Sequence, residues 1–284
     1  MHIFTCINKD KRGGLKLFVA ELKGKIPSAL QNYEDILTSS VIGVFQYLST
    51  PLYIQSLLES CVNVIGTPLT FTSPIKECEY FFWPKLENSE PDVLLLARDE
   101  IAQEYLICIE AKYWSDKSSS EDQSVDIQQR TNGQRDQLAR EIEDIHKDRC
   151  LRLLNMNNKN LDKTILIYLT NHTYLPSQEI TESIQHIQGI HFPKEQFYWL
   201  SWREIHNTIS KIKGYCTTQD SKLLYDLKKL LEKKGLQSFS GFGHQMEPVS
   251  KLDNTYHATL NSFSWDFLQD VRELNWSYGG NQNG

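Results

Sequence analysis

Pro91-Asp92-Val93-Leu94-Leu95-Leu96-Ala97, Arg98-Asp99-Glu100 and Tyr105-Leu106-Ile107-Cys108-Ile109-Glu110-Ala111-Lys112-Tyr113-Trp114 form the stretch whose reading decides the fold. The first segment has strand composition behind a proline, which a strand start tolerates because the missing N–H is not needed there. Arg98-Asp99-Glu100 reads as a turn. The second segment is apolar almost without a break, the pattern of a strand buried on both faces of a covered sheet. It ends in two ionisable side chains.

Strand periodicity projects residues two apart from one face, so Glu110 and Lys112 point together and Ala111 points away. If the segments pair as an antiparallel hairpin, the start of the first lies beside the end of the second, and Asp92 comes next to Glu110 and Lys112. Two neighbouring carboxylates repel unless a cation lies between them. Hard oxygen ligands with positions left for water suit Mg²⁺ or Mn²⁺. The same letters also allow an ordinary strand-end ion pair between Glu110 and Lys112 in an unrelated α/β protein. In that case Asp92 lies far from Glu110 and no divalent ion binds.

Pro91-Asp92 with Glu110-Ala111-Lys112 resembles the PD-(D/E)xK nuclease superfamily, which has the restriction-endonuclease-like fold. The resemblance implies metal ligation by Asp92, Glu110 and the Ala111 carbonyl, with Lys112 positioning or activating the attacking water. A metal in such a site polarises the phosphoryl oxygen and lowers the pKa of its water. It implies an α/β fold: a restriction-endonuclease-like core with a central mixed β-sheet flanked by helices, plus helical N- and C-terminal additions.

Two flanking segments extend the resemblance. Upstream, Ile36, Leu37, Val41, Val44, Phe45 and Leu48 have helical spacing, with Asn32 and Asp35 as an N-terminal signal. Superfamily members often carry an acid on this helix, and Glu34 is the matching position, with Thr38 one turn on along its face and Asp35 the plainer capping acid, the assignment between the two neighbours staying open. Glu34 reads equally as an acid favoured by the dipole at a helix start. Downstream, Gly133 to Ile145 reads as one helix with Leu138, Ile142 and Ile145 on a stripe. There the resemblance makes Gln137 a candidate to face the metal site or a DNA phosphate, and Gln134, one turn earlier, and Arg140 candidates for nucleic-acid binding, Arg140 at a backbone phosphate. Gln and Arg are also ordinary helix-surface residues.

The remaining core pattern agrees with a mixed sheet. Thr164–Thr170 reads as a buried strand before a helix from Ser177 to Ile187, and Phe197–Trp202 as a short strand entering a helix from Arg203 to Ile212. The sequence divides into a basic arm over 1–27, the nuclease-like core over 28–215 and a helical and aromatic extension over 216–284. The arm carries Lys9, Lys11, Arg12, Lys16, Lys23 and Lys25 against Asp10 and Glu21, either a phosphate contact or a solvated terminus. In the extension, a helix from Asp220 to Gly235 puts Leu223, Leu224, Leu227, Leu230 and Leu231 inside and Lys228, Lys229, Lys233 and Lys234 outside. Gly235 is its stop. The loop Phe239 to His244 and the aromatics Tyr256, Phe263, Trp265, Phe267, Trp276 and Tyr278 fit packing better than base stacking.

With 284 residues, 40% of them hydrophobic, the chain can bury one sizeable core or a core plus a small accessory domain. No run approaches transmembrane length and the start lacks a charged leader, so a cytoplasmic protein is expected, with no membrane partner. The six cysteines show neither zinc-ligand nor disulfide spacing, and no histidines pair at ligand spacing, which leaves carboxylates as metal ligands.

Net charge is −6, with 36 acidic residues against 30 basic, a poor balance for gripping long DNA unaided. Either basic residues gather on one face or a partner supplies DNA affinity. The resemblance implies a Mg²⁺-dependent endonuclease acting on DNA in a bacterial or phage-related restriction or antiviral defence setting. It would act as a homodimer or with an NTPase or recognition subunit. The alternative within the same fold is a catalytically silent DNA-binding or assembly subunit.

Overall fold

The computed structural model describes residues 8–9, 15–16, 34–113, 117, 119–120, 122–126, 129–154, 161–212 and 217–238. Most of the basic arm, Asn32, Trp114, and the loop and aromatic tail from Phe239 onward lie outside the described residues. Of the arm, Asn8–Lys9 and Leu15–Lys16 pair antiparallel.

The main sheet has six strands: β1 (Val62–Asn63), β2 (Ile75–Phe82), β3 (Val93–Asp99), β4 (Glu104–Ala111), β5 (Leu161–Thr170) and β6 (Phe197–Ser201). Their spatial order is β1-β6-β5-β4-β3-β2. Strands β2, β3 and β4 form an antiparallel meander, β4, β5 and β6 run parallel, and β1 closes the far edge antiparallel to β6. Parallel neighbours require crossovers. Helices α3 (Gln137–Ile145) and α4 (Asp148–Leu153) supply the one between β4 and β5, and α5 (Ser177–Gln185) supplies the next. The others are α1 (Glu34–Val44) and α2 (Leu52–Leu58) before the meander, and α6 (Trp202–Lys211) and α7 (Thr218–Lys233) after β6.

Period-two alternation divides the sheet between two cores. Val93, Leu95, Ala97, Tyr105, Ile107, Ile109, Ile165, Ile167 and Leu169 pack with apolar residues of α1, α2, α6 and α7. Leu94, Leu106, Cys108, Leu166 and Tyr168 face the other way, against Leu138, Ile142 and Ile145 of α3 and Ile180 of α5. The result is a mixed sheet between two helical layers. Every residue of β4 is buried, as its unbroken apolar run predicts.

Several boundaries differ from the sequence reading. Strand β3 runs through Asp99, because Arg98 pairs with Glu104 across the ladder. The turn follows, fixed by Asp99 Oδ1, which accepts the N–H groups of Ile101 at 3.0 Å and Gln103 at 2.9 Å. Along α1, Ile42 is fully buried while Ile36 is only partly so. The segment read as one helix from Gly133 is two elements, a 3₁₀ turn over Asn132–Gln134 and α3 from Gln137. Asp136 separates them as the N-cap of α3, accepting from Ala139 N at 3.0 Å.

The extension helix belongs to the core. The chain divides after Ser238 and not before α7. Leu223, Leu227, Leu230 and Leu231 of α7 are fully buried in the first core, with Gly235 at φ +70° ending the helix as expected. Its start is also tied in. Asp220 completes a capping box with Thr217 and accepts from Ser49 N at 3.0 Å and Ser49 Oγ at 2.5 Å. Among the described residues no helix is long and apolar enough to cross a membrane. Cys61, Cys78, Cys108 and Cys150 are free thiols.

Leu227→Ala should therefore lower unfolding stability by about 2–5 kcal/mol in urea titration. A loss below about 0.5 kcal/mol would make α7 peripheral.

Candidate active site

The β3/β4 register places the reactive residues. Val93 stands opposite Ile109, so one residue further out Asp92 meets Glu110, both on the α3 side with Leu94 and Cys108. Asp92 is held from both flanking strands. Its Oδ2 accepts the N–H of Ala111 at 2.9 Å, and its carbonyl accepts that of Trp83 at 3.0 Å. Lys112 follows the last residue of β4. Its own N–H donates to Leu169 O at 2.7 Å and its carbonyl accepts from Trp202 Nε1 at 3.0 Å, which fixes the backbone beneath the ammonium.

The Lys112 ammonium donates to Glu110 Oε1 at 2.6 Å and to Glu34 Oε1 at 3.3 Å. Glu34 Oε2 also takes the N–H of Tyr113 at 2.6 Å. The first residue of α1 thereby bridges the side chain and the backbone at the end of β4, while Asp35 stays exposed. That distinguishes two neighbours the sequence left open. From the opposite layer, Gln137 Nε2 donates to Glu110 Oε1 at 2.5 Å. Gln137 is the first residue of α3, and its position follows from the Asp136 cap, which Lys117 Nζ at 2.6 Å and Ser183 Oγ at 3.1 Å hold in place.

Glu34, Asp92, Glu110, Lys112 and Gln137 thus come together. Two other candidates do not join them. Gln134 caps its own 3₁₀ turn, accepting from Thr131 and donating to Asp122 at 3.2 Å. Arg140 is buried, donating to Asn88 O and to Ser119 Oγ at 3.0 Å, so it binds two loops to α3 and is not presented to a phosphate. Gln134 is displaced because it lies in the 3₁₀ turn before the helix, and Arg140 because its guanidinium is taken up by Asn88 and Ser119.

One residue was missed. Glu141, 1% exposed, sits one turn after Gln137 on the same helical face and adjoins Glu110. The i, i+4 relation to Gln137 was the available signal, overlooked because an acid next to Ile142 looks like a surface residue.

Four carboxylates therefore crowd one ammonium. Burial and the charge of Glu110 push Asp92 up to about 7, against the Ala111 N–H and Lys112, which pull it down. Burial likewise raises Glu110, against Lys112 and a hydrogen bond with Glu141 that pull it down, and raises Glu141, to which the charge of Glu110 and the same hydrogen bond add. Burial works against the Lys112 charge, but Glu110, Glu34 and Asp92 outweigh it and hold the ammonium above the ordinary lysine range. Lys112 is a donor here and not a base.

The acids are arranged around Lys112 and not around a common vacant point. Among the described residues no three His, Cys, Asp or Glu side chains converge as a group that would hold a metal ion. The set that the chemistry does fit is smaller: hard carboxylate oxygens of Asp92 and Glu110 with the neighbouring Ala111 carbonyl, waters completing the shell. Glu110 Oε2 supports that fit, being buried with no hydrogen-bond donor.

No family model, curated protein or solved structure matches this chain. The functional reading accordingly stands on the residues themselves. The juxtaposition of Asp92 with Glu110 runs against the chance ion-pair alternative, which required them to lie apart.

An ionised Asp92 is costly in this setting. Its folded pKa lies above the unfolded value, so below about pH 4 the group costs nothing, stability falls as pH rises toward 7, and the loss is constant beyond. In EDTA, Asp92→Asn should be more stable than wild type by about 1–3 kcal/mol at pH 8. The gap should close near pH 4.5 in parallel denaturation curves. A pH-independent gap would show that Asp92 is not held against Glu110.

Proposed function

We propose that this chain is a divalent-metal-dependent nuclease of the PD-(D/E)xK type that hydrolyses DNA phosphodiester bonds. The observation that carries the reading is the joining of Asp92, Glu110 and Lys112 at adjacent ends of an antiparallel strand pair, with Glu34 from the preceding helix and Gln137 from the following one. The chain order of the acidic helix, the Pro-Asp strand, the Glu-x-Lys strand and the Gln137 helix is the one the resemblance implies for a restriction-endonuclease-like core.

In this reading Asp92, Glu110 and the Ala111 carbonyl hold Mg²⁺ or Mn²⁺. Bound there, the ion supplies Lewis acidity toward a phosphoryl oxygen and a more acidic water. Lys112 does the positioning. As a permanently charged donor at the mouth of the carboxylates, it orients the attacking water in line with the scissile bond and offsets charge gathering on the phosphate. It does not take the proton, which passes to a nonbridging phosphate oxygen or to bulk water. Glu34 sets the height of the ammonium through its double contact with Lys112 and Tyr113. Gln137 shares Glu110 Oε1 with Lys112 and so fixes the rotation of that carboxylate.

The surplus of acidic residues supports action with a partner or a second copy for DNA affinity, in a restriction or antiviral defence setting. The silent-subunit alternative has less support. A fold that only binds gains nothing from burying Asp92, Glu110 and Lys112 together, an arrangement that costs stability.

Plasmid nicking tests the proposal. Wild type should convert supercoiled DNA in Mg²⁺ or Mn²⁺ and not in EDTA, and Lys112→Ala should lower the rate at least 100-fold with metal affinity nearly retained. Equal cleavage by the variant, or cleavage in EDTA, would remove Lys112 or the metal from the mechanism.

A further inference from the structure

Strand β2 ends at Phe82, which pairs with Val93, so the next residue, Trp83, stands level with Asp92. The backbone joins the two, Trp83 N–H donating to Asp92 O at 3.0 Å. A tryptophan therefore ends the edge strand of the sheet beside one of the acids of the site. Its side chain is 36% exposed, although an indole carries a large apolar surface whose burial would be favourable.

The backbone of Trp83 is also strained. Its φ is +47°, in the left-handed region that bulky residues avoid. Pro84 follows, and the residue before a proline is ordinarily extended. Glycine would hold this conformation without cost. An extended Trp83 would continue the alternation of β2 and send its ring to the α3 side, as Phe81 does. The left-handed residue instead has its indole beside the ring of Phe82, with centroids 5.7 Å apart and planes at 47°. Phe82 packs on the first core, so it backs the indole with a fixed ring. Strain and an exposed aromatic surface at one residue, next to a site, are signs of ligand binding. The substrate proposed above carries flat nucleobases, for which a fixed indole is a stacking surface. Stacking needs no positive charge, which suits a chain with 36 acidic and 30 basic residues. It does need a base with an open face, and inside a duplex both faces are covered by neighbouring base pairs.

We propose that Trp83 is a stacking platform for an unpaired nucleobase next to the scissile phosphate, so that the enzyme prefers single-stranded or locally opened DNA. The proposal rests on the nuclease reading above and names the form of its substrate. Asp92 links the two tasks, since its carboxylate belongs to the site and its carbonyl holds the residue that stacks on the base. Base and phosphate are then gripped at neighbouring strand ends, and the strain at Trp83 keeps the indole where the base arrives.

The test is DNA binding by the full chain in Mg²⁺, with Lys112→Ala as background so that the strand stays intact. The probes are an oligo-dT strand carrying one 2-aminopurine and the corresponding duplex, followed by anisotropy and by quenching of the 2-aminopurine. Trp83→Phe keeps a ring, and Trp83→Gly removes it while tolerating φ +47°, so loss of the ring is separated from loss of the fold, which circular dichroism checks. Trp83→Gly should bind the single strand about tenfold more weakly and lose the quenching, with duplex affinity changed less than twofold. Trp83→Phe should keep most of both signals. Single-strand affinity and quenching in Trp83→Gly within twofold of the background, while wild type cleaves DNA, would overturn the platform and leave the nuclease reading intact. Equal losses in Trp83→Phe and Trp83→Gly, or equal losses on single strand and duplex, would overturn it as well. No binding of either probe, together with no cleavage by wild type, would overturn the nuclease reading and this assignment at once.

Discussion

The Glu110 carboxylate, nearly out of reach of water at the end of β4, is the group on which the site depends. One oxygen anchors the Lys112 ammonium and the Gln137 amide, and the carboxylate also shares a hydrogen bond with Glu141. Elements from both helical layers meet through it. Glu34 arrives from α1 by way of Lys112, and Gln137 and Glu141 arrive from α3 directly. Placing an ionised acid where water cannot solvate it is expensive unless its partners are fixed. The surrounding structure supplies that fixation in backbone terms: Trp202 holds the Lys112 carbonyl, Asp136 sets the start of α3, and Tyr113 N–H holds Glu34.

Positioning and stability pull in opposite directions here. The hydrophobic cores on the two faces of the sheet bury Val93, Leu95, Ile107 and Ile109 on one side and Leu94, Leu106 and Cys108 on the other, and would tolerate apolar residues at 92 and 110 equally well. The acids at those positions instead lose water and repel one another, and burial first, then the charge of Glu110, push Asp92 up to about 7. Two neighbouring acids buried in an otherwise well-packed sheet cost stability.

The polar networks away from the site have a different character. Arg140 with Asn88 and Ser119, Asp144 with Asn88 and Ser89, and Asp220 with Ser49 and Thr217 each join a loop to a helix with complementary groups. They fix where α3 and α7 begin and where the loop before β3 runs. Asp144 and Asp220 are met there by hydrogen-bond donors, as expected of groups that hold the framework in place.

The letters alone determined the strand pair, because a period of two in side-chain direction and an unbroken apolar run leave little freedom. Asp92 opposite Glu110, Lys112 on its face, a mixed sheet between helices and the buried leucines of α7 all follow from local pattern. Which of Glu34 and Asp35 turns inward was decided only in three dimensions, by the reach of α1 to Tyr113 N–H and Lys112. The fates of Gln134, Arg140 and Glu141 were also tertiary. One capping residue, Asp136, shifts the start of α3 to Gln137. Periodicity identified the helix and its apolar stripe of Leu138, Ile142 and Ile145, but not which polar residues beside that stripe reach the strand ends, because that depends on where the helix sits over the sheet. Long-range contacts from Lys117 and Ser183 to the Asp136 cap hold that placement, and no local signal in the sequence encodes them.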